Sequence, residues 1–138
     1  MARSPRVVKI LSEVYERLYG HHGPQGWWPG DGPVETIIGA VLTQNTAWVN
    51  VEKALANLRA AEALSFAALR AMPEQEIAEL IRPSGYFNTK AKKLKAVAEH
   101  MAAYGDDPKQ WCERQPKELR AELLGVYGIG PETADDIV

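Results

Sequence analysis

The sequence predicts an all-α fold built from many short helices. Three observations carry this expectation. Apolar residues recur at three- and four-residue spacing through most of the chain, the period of a helix with one inward face. No stretch alternates apolar and polar residues as a half-buried strand does. Ser, Thr and Pro stand repeatedly at the start of the periodic runs, where capping residues and first-turn prolines belong. The 138 residues are 46% hydrophobic and 25% charged, enough apolar material for one domain-sized core. Nine Pro and 11 Gly are too few for a disordered or collagen-like chain, and no internal repeat or low-complexity segment appears.

The elements follow in order. Ser4-Pro5 opens a first helix whose stripe is Val7, Leu11, Val14 and Leu18, with Gly20 as its expected end. Residues 21–32 form a Gly/Pro-rich loop. Pro33 opens a second helix to about Leu42, apolar enough to be buried. A third runs from Thr46, as cap, to Arg59, with Val51, Ala54 and Leu58 inward. Short helices are expected at 65–71, capped by Ser65, and at 73–81, starting on Pro73. A longer one from Asn88 to Tyr104 turns Ala91, Leu94, Val97, Ala98 and Met101 inward and displays its lysines. Pro108 and Pro116 start two more, and Pro131 opens a last one.

Composition excludes several classes. No apolar run approaches the ~20 residues of a membrane span, and Glu13 and Glu16 interrupt any signal-peptide apolar region. Cys112 is the single cysteine, so an internal disulfide and a multi-cysteine metal site are excluded within these residues. The expectation is a soluble, intracellular, cytoplasmic protein with no membrane partner. The formal net charge of −2 argues against nucleic acid on average, yet residues 82–95 hold five basic residues and no acidic one. Such a run is either a patch able to grip phosphates or a solvated helix face.

The most specific local feature is Leu123-Leu-Gly-Val-Tyr-Gly-Ile-Gly-Pro-Glu-Thr-Ala134. It reads as two helices, 116–124 and 131 onward, joined by a turn with glycines at 125, 128 and 130. Val126 and Ile129 pin the turn between the helices. Amides around Gly128–Thr133 gather at the positive end of the second helix, an anion site that a DNA phosphate fits. The plain alternative is a Gly-rich helix–helix turn without a ligand.

That segment resembles the helix-hairpin-helix of the endonuclease III-like DNA glycosylases. Gly39-Ala-Val-Leu-Thr-Gln-Asn-Thr46 and Pro83-Ser-Gly-Tyr-Phe-Asn-Thr-Lys-Ala-Lys-Lys-Leu94 are similar to two further family signatures, in the same order and spacing. Trp27-Trp28-Pro29, then Gln44-Asn45-Thr46 with Trp48 just after, bring the chain nearest to the 3-methyladenine DNA glycosylases of endonuclease III type. The resemblance implies removal of a damaged base from double-stranded DNA, the first step of base excision repair, by a monomeric enzyme.

The resemblance also assigns roles. Trp27, Trp28, Pro29 and Trp48 would form the base pocket, where an indole face attracts a cationic alkylated purine more than the normal base. Read alone, the tryptophans fit a core better than a pocket. Gln44 and Tyr86 would fill the gap left by the flipped nucleotide; otherwise Gln44 is a helix C-cap contact and Tyr86 an ordinary packed ring. Gly128, Ile129, Gly130, Thr133, Lys90, Lys92 and Lys93 would meet the DNA backbone. In related hairpins the main-chain carbonyls matching Leu124, Val126 and Ile129 hold a monovalent cation. Bifunctional relatives carry a Lys where this chain has Glu132, and a carboxylate forms no imine, so lyase chemistry through that residue is excluded. A monofunctional mechanism remains, using an Asp that relatives place beyond Val138; Asp135 and Asp136 read as surface or packing residues.

The sequence therefore predicts the N-terminal part of a monofunctional glycosylase for alkylated purines, inactive as it stands. Residues 1–20 are expected to belong to a second lobe completed by further C-terminal helices, and 21–138 to a partial bundle lobe ending in the hairpin (116–138). No cofactor is expected in this chain; relatives often carry a 4Fe-4S cluster farther on. The alternatives are an endonuclease III-like glycosylase for oxidised pyrimidines, a non-catalytic helix-hairpin-helix DNA-binding module, and a helical scaffold whose hairpin binds protein.

Overall fold

The computed structural model describes residues 4–23 and 32–138. Among the described residues, nine α-helices and one 3-10 turn form the regular structure and no strand occurs. Helix α1 (Pro5–His22) runs through Gly20, the expected end, and stops at Gly23. A lone glycine costs a long helix only about 1 kcal/mol. Gly23 takes φ 69 and returns its N–H to Tyr19 O, which a left-handed glycine does without strain.

Helix α2 (Pro33–Leu42) starts on its proline as expected. Helix α3 (Trp48–Ala60) begins after Ala47, not at Thr46. The Thr46 hydroxyl accepts from the Asn50 amide at 3.1 Å and caps nothing. Helix α4 (Phe66–Ala71) has its Ser65 cap, with Oγ accepting the Ala68 N–H at 3.1 Å. Helix α5 (Glu74–Leu80) follows Pro73, and a 3-10 turn (Arg82–Ser84) forms around Pro83. Helix α6 (Phe87–Ala102) ends two residues before Tyr104. Helices α7 (Lys109–Cys112), α8 (Pro116–Leu124) and α9 (Pro131–Ile137) complete the chain.

Helix α6 is the spine. Ala91, Leu94, Val97, Ala98 and Met101 are all buried, as their spacing predicts, and the helix packs against α2, α4, α5 and the 3-10 turn. Val51, Ala54 and Leu58 of α3 are buried as expected. Helix α9 lies on both α2 and α8, which seats the hairpin beside the C-terminus of α2. The core is one cluster extending from Ile37 to Ala134. Buried apolar area stabilises it at roughly 25 cal/mol per Å².

Polar side chains lock helix ends onto this core. Glu35, buried in α2, is paired by Arg59 at 2.9 Å. Arg70 binds both carboxylate oxygens of Asp106 and donates to Ala98 O at 2.7 Å. Glu122 of α8 accepts from Tyr104 and from Arg114, and His100 Nε2 stands 3.0 Å from it. Those contacts join the end of α6 to the first hairpin helix.

Helix α1 stands apart. Its expected inward stripe, Val7, Leu11, Val14 and Leu18, is 45–56% exposed, and no residue of the helix is buried. The periodicity is present without a partner among the described residues.

Candidate nucleic-acid interface

A groove of about 730 Å³ lies between the C-terminus of α2 and the hairpin turn. Ala40, Thr43, Gln44, Asn45 and Lys93 line one side, and residues 124–133 with Asp136 line the other. The turn departs from helix where its glycines permit. Gly128 takes φ 87, and an added Cβ would sit 2.1 Å from Lys93 Cγ. Both the backbone conformation and the close approach require glycine there.

Ile129 is 5% exposed and is the plug that the sequence predicts, its N–H bonded to Val126 O at 3.1 Å; Val126 is half-buried against the core. Among the described residues, the N–H groups of Gly128, Gly130, Glu132 and Thr133 have no backbone acceptor. These are the amides that the sequence assigns to an anion. Leu124, Val126 and Ile129, whose carbonyls the resemblance gives to a cation, share the groove wall.

Gln44 departs from expectation. It neither caps α2 nor points freely outward. Its Nε2 donates to Gly128 O and to Thr133 Oγ1, both at 2.9 Å, and its Oε1 accepts from Lys93 Nζ at 2.7 Å. Thr133 is buried, so its side chain faces Gln44 instead of a backbone phosphate.

Tyr86 does stand out: its side chain is on a residue 71% exposed, just before α6, at φ 46 and ψ 37. Asn45, beside Gln44, is also left-handed at φ 54. Asn tolerates that region, whereas Tyr holds it at a cost of roughly 1–2 kcal/mol. Strain at an exposed ring beside a groove marks a position set by something other than stability.

The basic run at 82–95 is not one continuous exposed patch, because most of its cations are held by the protein's own acceptors. Lys90, expected at the DNA backbone, is 1% exposed and donates to Leu42 O at 2.8 Å and Ser84 O at 2.7 Å. Burial, with the charge of Lys93 added, lowers its pKa from 10.5 to about 8. Lys95 caps α4 through the carbonyls of Leu69, Arg70 and Met72. Arg82 pairs with Glu79 at 3.2 Å and lies over the Phe87 ring at 5.0 Å. Lys93 turns its ammonium to Gln44. Only Lys92 keeps the expected exposed position without a hydrogen bond or ion pair among the described residues.

Glu132 is exposed on the groove wall. Asp136, which the sequence reads as a surface or packing residue, shares that wall one turn later, half-buried, and burial with the charges of Glu132 and Asp135 raises its pKa. The four-residue spacing to Glu132 is the signal that places it there. Asp135 is a surface residue as expected, paired with Arg120 at 2.7 Å. Trp48 is half-buried at the start of α3, packed against the core. Trp27, Trp28 and Pro29 lie outside the described residues. Cys112 is exposed and the only cysteine, so these residues do not fit a four-cysteine cluster. No helix among the described residues is long and apolar enough to cross a membrane.

Residues 38–135, which hold the core and the hairpin, match the family model described as "HhH-GPD superfamily base excision DNA repair protein". The chain belongs to that superfamily. It is 39% identical over 132 residues to "Putative DNA repair glycosylase MJ1434" of Methanocaldococcus jannaschii, covering 94% of this chain and 60% of that protein. It also superposes on the crystal structure of the H. pylori 3-methyladenine DNA glycosylase MagIII bound to 1,N6-ethenoadenine. That match has TM-score 0.71 and 31% identity, over 94% of this chain and 61% of that one. The chain thus spans about three-fifths of the length of these relatives.

Proposed function

We propose that this superfamily member serves a monofunctional DNA glycosylase that removes an alkylated purine from duplex DNA. The observation that carries the reading is the hairpin turn itself, where the amides of Tyr127, Gly128, Gly130, Glu132 and Thr133 lack backbone acceptors along an open groove. Such amides suit a phosphate oxygen, and phosphate contacts hold a duplex in register without reading its sequence. Tyr86 would enter the stack, a reading that its exposed ring and strained backbone support. Trp27, Trp28 and Trp48 would hold the extruded base, an indole face favouring a cationic purine. A monovalent cation would be held by the main-chain oxygens of Leu124, Val126 and Ile129 and would add positive charge toward a phosphate.

Glu132 stands where a lyase would need an amine, so hydrolysis and not imine formation is the chemistry proposed. The likeness to a protein crystallised with 1,N6-ethenoadenine supports a purine lesion over an oxidised pyrimidine. We further propose that α1 belongs to a second lobe, covered by helices that the relatives carry outside the matched part.

The test uses duplexes carrying 3-methyladenine or thymine glycol, with the protein extended by the part that its relatives carry outside the matched region. Release of the purine without strand nicking or a borohydride-trapped adduct is expected. Tyr86→Ala should lower release at least tenfold, the cost of about one lost stacking contact. Release of thymine glycol alone would overturn the substrate reading. Binding to duplex DNA that ignores salt would overturn the DNA reading altogether, because phosphate contacts release counterions.

A further inference from the structure

We infer that Gln44 and Lys93 form a bracket that positions the hairpin turn. The hydrogen-bond chemistry fixes the arrangement. An ammonium only donates, so the Gln44 oxygen must face Lys93 Nζ, 2.7 Å away. A carbonyl only accepts, so the Gln44 nitrogen must face Gly128 O, 2.9 Å away. Its second hydrogen then reaches Thr133 Oγ1 at 2.9 Å. One amide from the end of α2 therefore holds both ends of the turn, Gly128 on the near side and Thr133 in the first turn of α9.

Lys93 completes the bracket from below. Its stem runs under Gly128, so closely that a Cβ on Gly128 would fall 2.1, 2.6 and 2.7 Å from Lys93 Cγ, Cδ and Cβ. Glycine at 128 is thus required as much by the lysine passing beneath it as by its φ of 87. The open amides of Gly128, Gly130, Glu132 and Thr133 lie within the span that the bracket fixes. Insertion of Gln44 into a duplex would break three hydrogen bonds and leave the buried Thr133 hydroxyl and Lys93 without this partner. This inference builds on the reading that the turn meets phosphate, although the bracket itself is testable without DNA.

The experiment compares the protein with Lys93→Met, which keeps the stem, and Gln44→Glu, which keeps the partner of Lys93 but loses both donors. Amide hydrogen exchange is followed at Ile129 and Ala134, which bond to Val126 O and Gly130 O inside the turn. Each variant should speed exchange there about tenfold, the equivalent of one hydrogen bond, while Ala54 and Leu58 in α3 keep their protection. Duplex affinity should fall about tenfold with an unchanged salt slope, and the double variant should be no worse than the weaker single one. Unchanged exchange at Ile129 and Ala134, or equal acceleration in α3, would overturn the bracket. A salt slope shallower by about 0.9 in Lys93→Met, with exchange unchanged, would make Lys93 a phosphate contact instead. Absence of DNA binding by the unsubstituted protein would count against the DNA reading, and exchange would still decide the bracket.

Discussion

Lys90 shows how one residue can be placed correctly on an element and still be misread. It sits in a basic run on a helix whose inward stripe was legible, yet it points into the core between α2 and the 3-10 turn. Its ammonium joins Leu42 O, two residues before Gln44, to Ser84 O, two residues before Tyr86, so it fixes the spacing of the two loops at the groove. Lys90→Met keeps the volume and leaves both carbonyls without that donor, which should destabilise the fold by about 1–3 kcal/mol at pH 7. The pH dependence identifies the cause. Folded Lys90 loses its proton near 8, whereas in the unfolded chain it stays charged to about 10.5. Between those values the unfolded state binds more protons, so the protein with Lys90 gains stability as pH rises. The gap to Lys90→Met should therefore widen from pH 8 to 10.5, by at most about 1.4 kcal/mol per pH unit. Urea unfolding of both proteins at pH 7, 8.5 and 10 measures it; a constant gap would mean that Lys90 is not buried as a titrating group.

At the scale of elements, periodicity and capping made most helices legible, and the hairpin was legible from its glycines. Ser65 and Pro33 act as the sequence predicts, because a cap is a contact within one turn and is visible locally. The site was less legible because its contacts cross long sequence distances. Gln44, Lys93 and Thr133 are far apart in the chain, and nothing local says that the lysine stem passes beneath Gly128. The same limit hid the cluster joining α6 to α8, where Glu122 gathers Tyr104, Arg114 and His100. The Tyr104 hydroxyl, and then Arg114, hold the Glu122 carboxyl below its usual range. A lowered carboxylate stabilises the fold above the unfolded pKa of 4.5 and loses that contribution as pH falls through the folded value. Glu122→Gln should cost about 1 kcal/mol at pH 7 by weakening two hydrogen bonds. Its deficit should vanish in acid, where Glu122 is itself neutral. Thermal unfolding from pH 7 to 3 checks this, and a deficit independent of pH would point to packing instead of charge.

For the whole molecule, the opposition is between an α1 with a complete apolar stripe and a core that leaves it uncovered. Val7, Leu11, Val14 and Leu18 follow a four-three-four spacing, and Ile10, Tyr15 and Tyr19 are also exposed along the helix, at 49–66%. A helix of this kind gains most of its stability from a packed face, not from propensity. The core from Ile37 to Ala134 draws nothing from it. Two consequences separate α1 from the rest. Removing residues 1–23 should leave the urea midpoint of the remaining chain within about 0.5 kcal/mol of its original stability, as for changes away from any buried contact. The same removal should lower binding of an apolar dye and any self-association, because exposed contiguous apolar surface drives both. In a chain extended by the part that relatives carry outside the matched region, the proposed second lobe predicts the reverse. There α1 amides gain protection from exchange, and Leu11→Ala and Leu18→Ala each cost about 2–4 kcal/mol as buried truncations do. Equal tolerance of Leu11→Ala and Leu18→Ala in the shorter and the longer chain would show that α1 has no partner in either and would overturn the second-lobe proposal.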